Sequence, residues 1–506
     1  MLKRFHLSLV LAVLLNPMTI WANFLDVSYF VKGNPLIDTN ATTSSLDGYF
    51  ISTDKFKIVR SDYQFEITTA FGLGDPQEDG KPELKPYEGP EETIYNETLE
   101  FSPSDVRFGA SNLTYWLGKT VDKIIELGYL GSKKLNIKVY SHCKDMLNAY
   151  YSPVDNVICV GHLHKTLGKD SLEGMASLAW DADVIVHELG HGVYGNLTTM
   201  TRNNYVSFGN DMVSAMNEGQ ADFMAHVVTG AEILAPWMMN MAKEYYRKTA
   251  PHIYPYVKDK QGLRHITNDF KLNTHFFGEI HDDGSVIAGA LQKVADKIGK
   301  ETALDIWLET ITRIHEANNF YDFGKIMEQV DEEHNFGVNK QYIEESFKAH
   351  AIYGNPEMLE GDITAEAKIV DKKEELIEIL KSLGIDKEET LNQLTANNNG
   401  NGQLDKDECI SLEVAFKNVS DKDLVGLEVF IPKHMVPKGL SNQGQNRNYL
   451  GFLKPGVTFP EKPNYKNKRR PWFYVCATEE FTPEQTLPIF VRNSGENTVK
   501  IDVKIN

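Results

Sequence analysis

The chain is short of several things. It has four cysteines in 506 residues, and neither Cys143 and Cys159 nor Cys409 and Cys476 carry the spacing of a zinc finger. The first pair flanks one short segment and the second falls in the last hundred residues, which suggests two local bridges in an oxidising compartment. Basic residues are scarce against acids. Without Lys3 and Arg4, 50 Lys and Arg face 71 Asp and Glu, a net charge of −21, so nucleic acid and anionic membrane are not expected partners. Long hydrophobic runs are missing too. The one candidate, Leu7 to Leu15, follows Lys3 and Arg4 and leads through Pro17 to Ala22, too short to span a bilayer and patterned as a secretory signal peptide over residues 1–22. No cysteine near Ala22 offers a lipid anchor, no membrane insertion is expected elsewhere, and no internal repeat occurs. Roughly 480 residues remain, enough for two to four domains, with a secreted or periplasmic destination.

What is present changes character along the chain. Residues 23–105 alternate apolar and polar side chains and then run into the Pro, Gly and acid-rich "GDPQEDGKPELKPYEGPEE", a β-rich segment with a loop. From residue 112 to 130 the period becomes helical, with Trp116, Leu117, Val121, Ile124, Ile125 and Leu127 forming a stripe that Gly128 ends. Strands are expected at "KLNIKVY" and "NVICVG", and helices at 182–194, 212–228, 285–299, 301–317, 322–332 and 339–351. Residues 356–408 read as a charged linker with a short amphipathic helix. Residues 409–506 give short strands separated by turns, the pattern of an antiparallel β-sandwich. The basic run "KNKRRPW" in this last part reads as a solvated loop.

Chemistry concentrates at "VIVHELGHGV". His187 and His191, four apart on a helix, present their rings on one face to a common metal ion, and Glu188, rotated by about 100°, can hold a water at the open position of that metal. A third ligand is still needed. Leu197 and Tyr194 stand where a metzincin needs histidine and glycine, so that route is closed. "AMNEGQADFMAH" supplies the alternative, with Glu218 on a later helix and Asp222 one turn on, placed to accept the spare N–H of a ligand histidine. Two histidines and one carboxylate leave a fourth position for water, which marks catalytic rather than structural zinc.

"VIVHELGHGV" followed by "NEGQADF" resembles the gluzincin metallopeptidases, in particular the thermolysin and fungalysin families, and the 26 residues between His191 and Glu218 are nearer the fungalysin-like pattern. No Gly-x-Met-Glu-Asn segment precedes the zinc motif, which favours an endopeptidase over an aminopeptidase. The resemblance implies an α+β fold: a two-lobed zincin catalytic domain over residues 106–355, with a mixed N-terminal lobe and a helical C-terminal lobe. It also implies zinc as cofactor and a protein or peptide as substrate. "EIHDDGSVIAGALQKVAD" matches the segment whose histidine stabilises the oxyanion, which places that role on His281, with His275 the nearby competitor. "MLNAYYSPVDNVICVG" matches the edge strand that pairs with extended substrate, which implicates Asn148 and Ala149. A tyrosine assists in these families, and Tyr205 is the candidate here. The rival expectation is an exported binding or adhesion protein that keeps the scaffold without catalysis.

A second metal signal lies at "NNNGNGQLDKDE". Asn397, Asn399, Asn401 and Asp405 with Glu408 fit the oxygen positions of an EF-hand loop around Gly402, and calcium is the implied ion. The sequence after it reads as a strand where an EF-hand needs its exiting helix.

Overall fold

The computed structural model describes residues 24–30, 41–47, 49–51, 57–60, 66–68, 108–129, 137–145, 147–153, 156–163, 176–198, 212–276, 279–315, 318–382, 387–396, 398–442, 447–459, 472–494 and 497–505. The signal-peptide expectation, Tyr205, Asn397 and the "KNKRRPW" run therefore lie outside the described residues, as does the side chain of Cys143.

The first part is built on a mixed sheet. Strands β1 (Phe24–Phe30) and β2 (Ala41–Asp47) form a separate antiparallel pair. The larger sheet runs β3 (Tyr49–Ile51), β4 (Lys57–Arg60), β5 (Glu66–Thr68), β6 (Lys138–Asp145), β8 (Val157–Leu163) and β7 (Ala149–Ser152), with β9 (Ala176–Ser177) also paired to β8. Among the described residues β7 stands last in this order. The residues before the zinc motif thus contribute strands to the sheet that ends at β7.

Helices follow. They are α1 (Phe108–Glu126), α2 (Ala182–Leu197), α3 (Met212–Thr229), α4 (Pro236–Thr249), the single turn α5 (Tyr254–Val257), α6 (Ile280–Ile298), α7 (Lys300–Arg313), α8 (Phe320–Asn335) and α9 (Lys340–Ala349). A short ribbon of β10 (Ile233–Leu234) with β11 (Arg264–His265) sits between them. The apolar stripes of these helices share one core with Ile137, Val139, Ile158 and Val160 from the sheet. Inside it α3 is fixed by Phe223 against Trp307, whose indole N–H donates to Gln220 Oε1 at 3.2 Å.

The C-terminal part has its own core. Sheet order is β12 (Ile363–Val370), β13 (Cys409–Asn418), β18 (Trp472–Ala477), β15 (Leu440–Asn442), with β17 (Thr458–Phe459) on β13. A second sheet runs β16 (Arg447–Leu453), β14 (Leu424–Phe430), β19 (Thr486–Arg492), β20 (Thr498–Lys504). All pairings are antiparallel, and Ile410, Leu412, Phe416 and Phe473 of one sheet share a cluster with Leu427, Val429, Ile489 and Val491 of the other. Cys409 and Cys476, directly opposite on β13 and β18, are joined, and Cys159 is also disulfide-bonded.

The stretch 356–408, expected as a charged linker with one short amphipathic helix, has α10 (Lys373–Ser382) at that helix and contains in addition α11 (Glu388–Leu394) and the whole of β12, which pairs with β13 along its length. Its alternation of half-buried Ala365, Ala367 and Ile369 with exposed Thr364, Glu366 and Lys368 is a strand pattern masked by charge. The chain as a whole is α+β. Among the described residues no helix is long and apolar enough to cross a membrane.

Candidate active site

Three helices bring the site together because small residues let them touch. A Cβ on Gly190 of α2 would lie 2.8 Å from Ala221 Cα of α3, and a Cβ on Gly284 of α6 would lie 2.6 Å from Ala215 O and 2.9 Å from Glu218 Cβ. Larger side chains at either crossing would separate the backbones. At its start α2 is capped by Asp181, whose carboxylate accepts from Asp183 N and also from Met238 N on α4.

The result is a compact ligand set. His187, His191 and Glu218 each offer one donor atom, and those atoms lie within 4.8 Å of one another. The two Nε2 atoms are 3.1 Å apart, and Glu218 stands 3.5 Å from His187 and 3.7 Å from His191. Asp222 Oδ1 is 2.8 Å from His187 Nδ1, so the proton belongs on Nδ1 and the Nε2 lone pair faces inward. Two imidazole lone pairs and a carboxylate aimed at one point repel each other unless a divalent cation lies between them. The donor set fits zinc.

The electrostatics agree. Burial opposes the charged form of His187, but hydrogen bonds to Asp222 and Glu218 outweigh it and push the group up to about 10, while burial holds His191 down to about 4. A cation bound here must displace the proton of His187. Burial raises Glu188 to about 7, with the Glu218 carboxylate adding to the rise and His187 opposing it. Glu188 lines a cavity of about 260 Å³, and its buried Oε2 has no hydrogen-bond donor among the described residues.

Several residues predicted from sequence line that same cavity: Asn148, Ala149, His187, Glu188, His191, Glu218 and His281. Ala149 sits on the outermost strand β7, opposite Val160 of β8. His281 Nε2 is 3.4 Å from Glu218 Oε1. His275 is elsewhere, stacked on Phe270 with Nδ1 accepting from Lys271 N, and it does not line the cavity.

Two participants escaped the sequence reading. Arg264 grips Asp222 with both Nε (2.8 Å) and Nη2 (2.6 Å), and approaches Glu218 to 3.7 Å. Burial favours a neutral Asp222, yet the Arg264 guanidinium outweighs it and keeps the carboxyl ionised below its usual range. Glu279 caps α6, accepting from the backbone of His281 and Asp282, and its Oε1 lies 2.6 Å from His281 Nδ1. Only Glu279 left a signal, an acceptor immediately before an apolar helix. Arg264, 42 residues from its partner, left none.

The loop read as an EF-hand is occupied by itself. Asn399 and Asn401 each donate a side-chain N–H to Asp405 Oδ2 at 2.7 Å, and the fully buried Glu408 accepts from the backbone N–H groups of Asn399 and Asp405. Amide protons stand where a cation would, and strand β13 begins at Cys409 in place of an exiting helix.

Two histidines four apart on one helix, a glutamate on the next and a buried carboxylate beside them define the class of catalytic zinc hydrolase sites with an open coordination position. The comparison with protein families is narrower: residues 102–322 match the family model of Fungalysin metallopeptidase (M36), a zinc metallopeptidase family related to the thermolysin-like gluzincins. The match covers α1 to α7 and all residues of the site. No curated protein matches the chain.

Proposed function

We propose that this protein is an exported zinc-dependent endopeptidase, its two-lobed zincin domain followed by a β-sandwich, with His187, His191 and Glu218 as metal ligands. The single observation that carries the reading is the convergence of those three donors beside the buried carboxyl group of Glu188. Zinc, when bound, acidifies water and polarises the scissile carbonyl. Glu188 takes the proton of the attacking water and delivers it to the leaving amine, a task suited to a group poised near 7. His281, held through Nδ1 by Glu279, donates from Nε2 to the developing oxyanion. Asp222, steadied by Arg264, fixes the tautomer of His187.

Substrate lies extended beside β7, paired to Asn148 and Ala149, which line the same cavity as His187 and Glu218. Val184, Leu234, Met238 and Leu263 form an apolar wall of the cavity, which suits an apolar side chain next to the cut bond. Calcium is not carried into the proposal, since the amides of Asn399 and Asn401 already occupy Asp405. Nor does any observation favour an inactive binding module.

The test is Glu188→Gln. Hydrolysis of an unstructured protein such as casein is expected to vanish while stoichiometric zinc is retained, and a chelator should abolish wild-type activity. Full activity in the variant would remove the proposed base.

A further inference from the structure

We propose that the C-terminal two-sheet unit is a positioning element of the hydrolytic site, acting through Phe276 on the segment that presents His281. The proposal rests on the peptidase reading above. It starts from strands β14 and β16, whose side chains serve two cores. Leu424, Leu427, Val429, Leu450 and Leu453 belong to the C-terminal cluster, whereas Val425 and its cross-strand partner Phe452 pack into the core of the catalytic helices. The register shifts between Val425 and Leu427, where Gly426 sits at φ 66° against Ser494.

At the centre of this joint the neighbouring residue, Gly451, has φ 83° and no side chain. A Cβ there would stand 3.4 Å from Phe276 Cδ1. Polar contacts clamp the joint: Arg492 pairs with Glu428 at 2.8 Å and with Asp322 of α8 at 3.1 Å, Asn355 donates to Ser494 Oγ at 2.6 Å, and Asn493 donates to Pro356 O at 2.9 Å.

Phe276 is buried and stands three residues before Glu279, the cap of α6 and the partner of His281. The segment is fixed upstream by His350, whose Nδ1 is 2.6 Å from Phe270 O and whose carbonyl accepts from Leu272 N. Downstream, the His281 side chain is 47% exposed and leans on Glu279. Its placement therefore depends on the backbone that carries it, and three positions before Glu279 the side chain of Phe276 lies against Gly451 of β16. The family match ends at residue 322, before any of these strands.

A positioning role differs from a merely stabilising one in where the loss appears. In the full-length, zinc-loaded enzyme, Phe452→Ala should lower kcat by roughly 10-fold with KM changed by less than about 2-fold, because an oxyanion donor acts in the transition state. In a His281→Ala background the same substitution should have no further effect on kcat. Val425→Ala touches the same joint without a strained backbone and gives a second reading should Phe452→Ala fold poorly. An equal loss in both backgrounds, or an unchanged kcat in folded Phe452→Ala, overturns the proposal while leaving the peptidase reading intact. A wild type without metal-dependent hydrolysis removes both.

Discussion

Gly219 of α3 and Gly284 of α6 meet backbone to backbone, and a Cβ on Gly219 would collide with the carbonyl oxygen of Gly284. One residue before Gly219 is Glu218, so the closeness of this crossing decides how far the third ligand reaches toward His187 and His191. Gly284→Ala is expected to destabilise the fold by about 1–3 kcal/mol through overpacking and to weaken zinc binding by displacing Glu218. Calorimetry and a zinc titration check this together. An unchanged melting temperature with wild-type metal affinity would show that the contact has slack.

The proposed zinc ligands were legible in the sequence because their spacing is local: His187 and His191 share a helix face, and Glu218 and Asp222 share another. The groups that hold them were not. Arg264 reaches Asp222 from a different ribbon, and nothing in periodicity links positions 42 apart. Strand β12 was hidden because its outward positions are Glu366 and Lys368, which made an alternating pattern look like a charged linker. The apolar run of β14 announces a strand but cannot say that Val425, or Phe452 on the unannounced β16, meets another core rather than water.

Asp222 carries two partners, His187 and Arg264, and is itself fully buried. Asp222→Asn keeps the shape but weakens the acceptor for His187 Nδ1 and removes the nearest counter-charge of Arg264. Zinc affinity should fall by about 10- to 100-fold. Leaving the buried guanidinium with only Glu218, at 3.7 Å, should also destabilise the fold, by less than the about 3–5 kcal/mol of a fully unpaired buried charge. Zinc competition with a chromophoric chelator reads the first effect and denaturant unfolding the second. Wild-type affinity in the variant would refute the orienting role of this carboxylate.

The pair of Glu279 and His281 predicts a direction in pH. Burial disfavours the imidazolium of His281, but the hydrogen bond to Glu279 and the charge of Glu218 outweigh it, and the group keeps its proton above the usual range. With Nδ1 committed to Glu279, Nε2 can donate only while the ring is doubly protonated. Activity should therefore decline as pH rises through this elevated value. Glu279→Gln lowers the value, so the alkaline limb of kcat should move to lower pH. A limb that stays put, measured across pH 6 to about 10, would separate His281 from that limb.

The bridge between Cys409 and Cys476 makes the contrasting prediction, since it lies in the sheet whose described residues contribute none to the core of the catalytic helices. The bonded residues face each other on β13 and β18 and lie beside Tyr474, Leu376 and Leu391, away from Val425, Gly451 and Phe452 on the opposite sheet. With a sequence separation of 67, the closed loop contributes about 4 kcal/mol on the chain-entropy account. Replacing both residues by serine should lower the melting temperature of the C-terminal unit by roughly 10 °C. At 25 °C, where the unit stays folded, zinc content and kcat should match the wild type, because no contact of the bridge leads to Phe276 or His281. A variant that loses turnover at 25 °C while its C-terminal unit remains folded would mean that both sheets, not only β14 and β16, transmit order to the site.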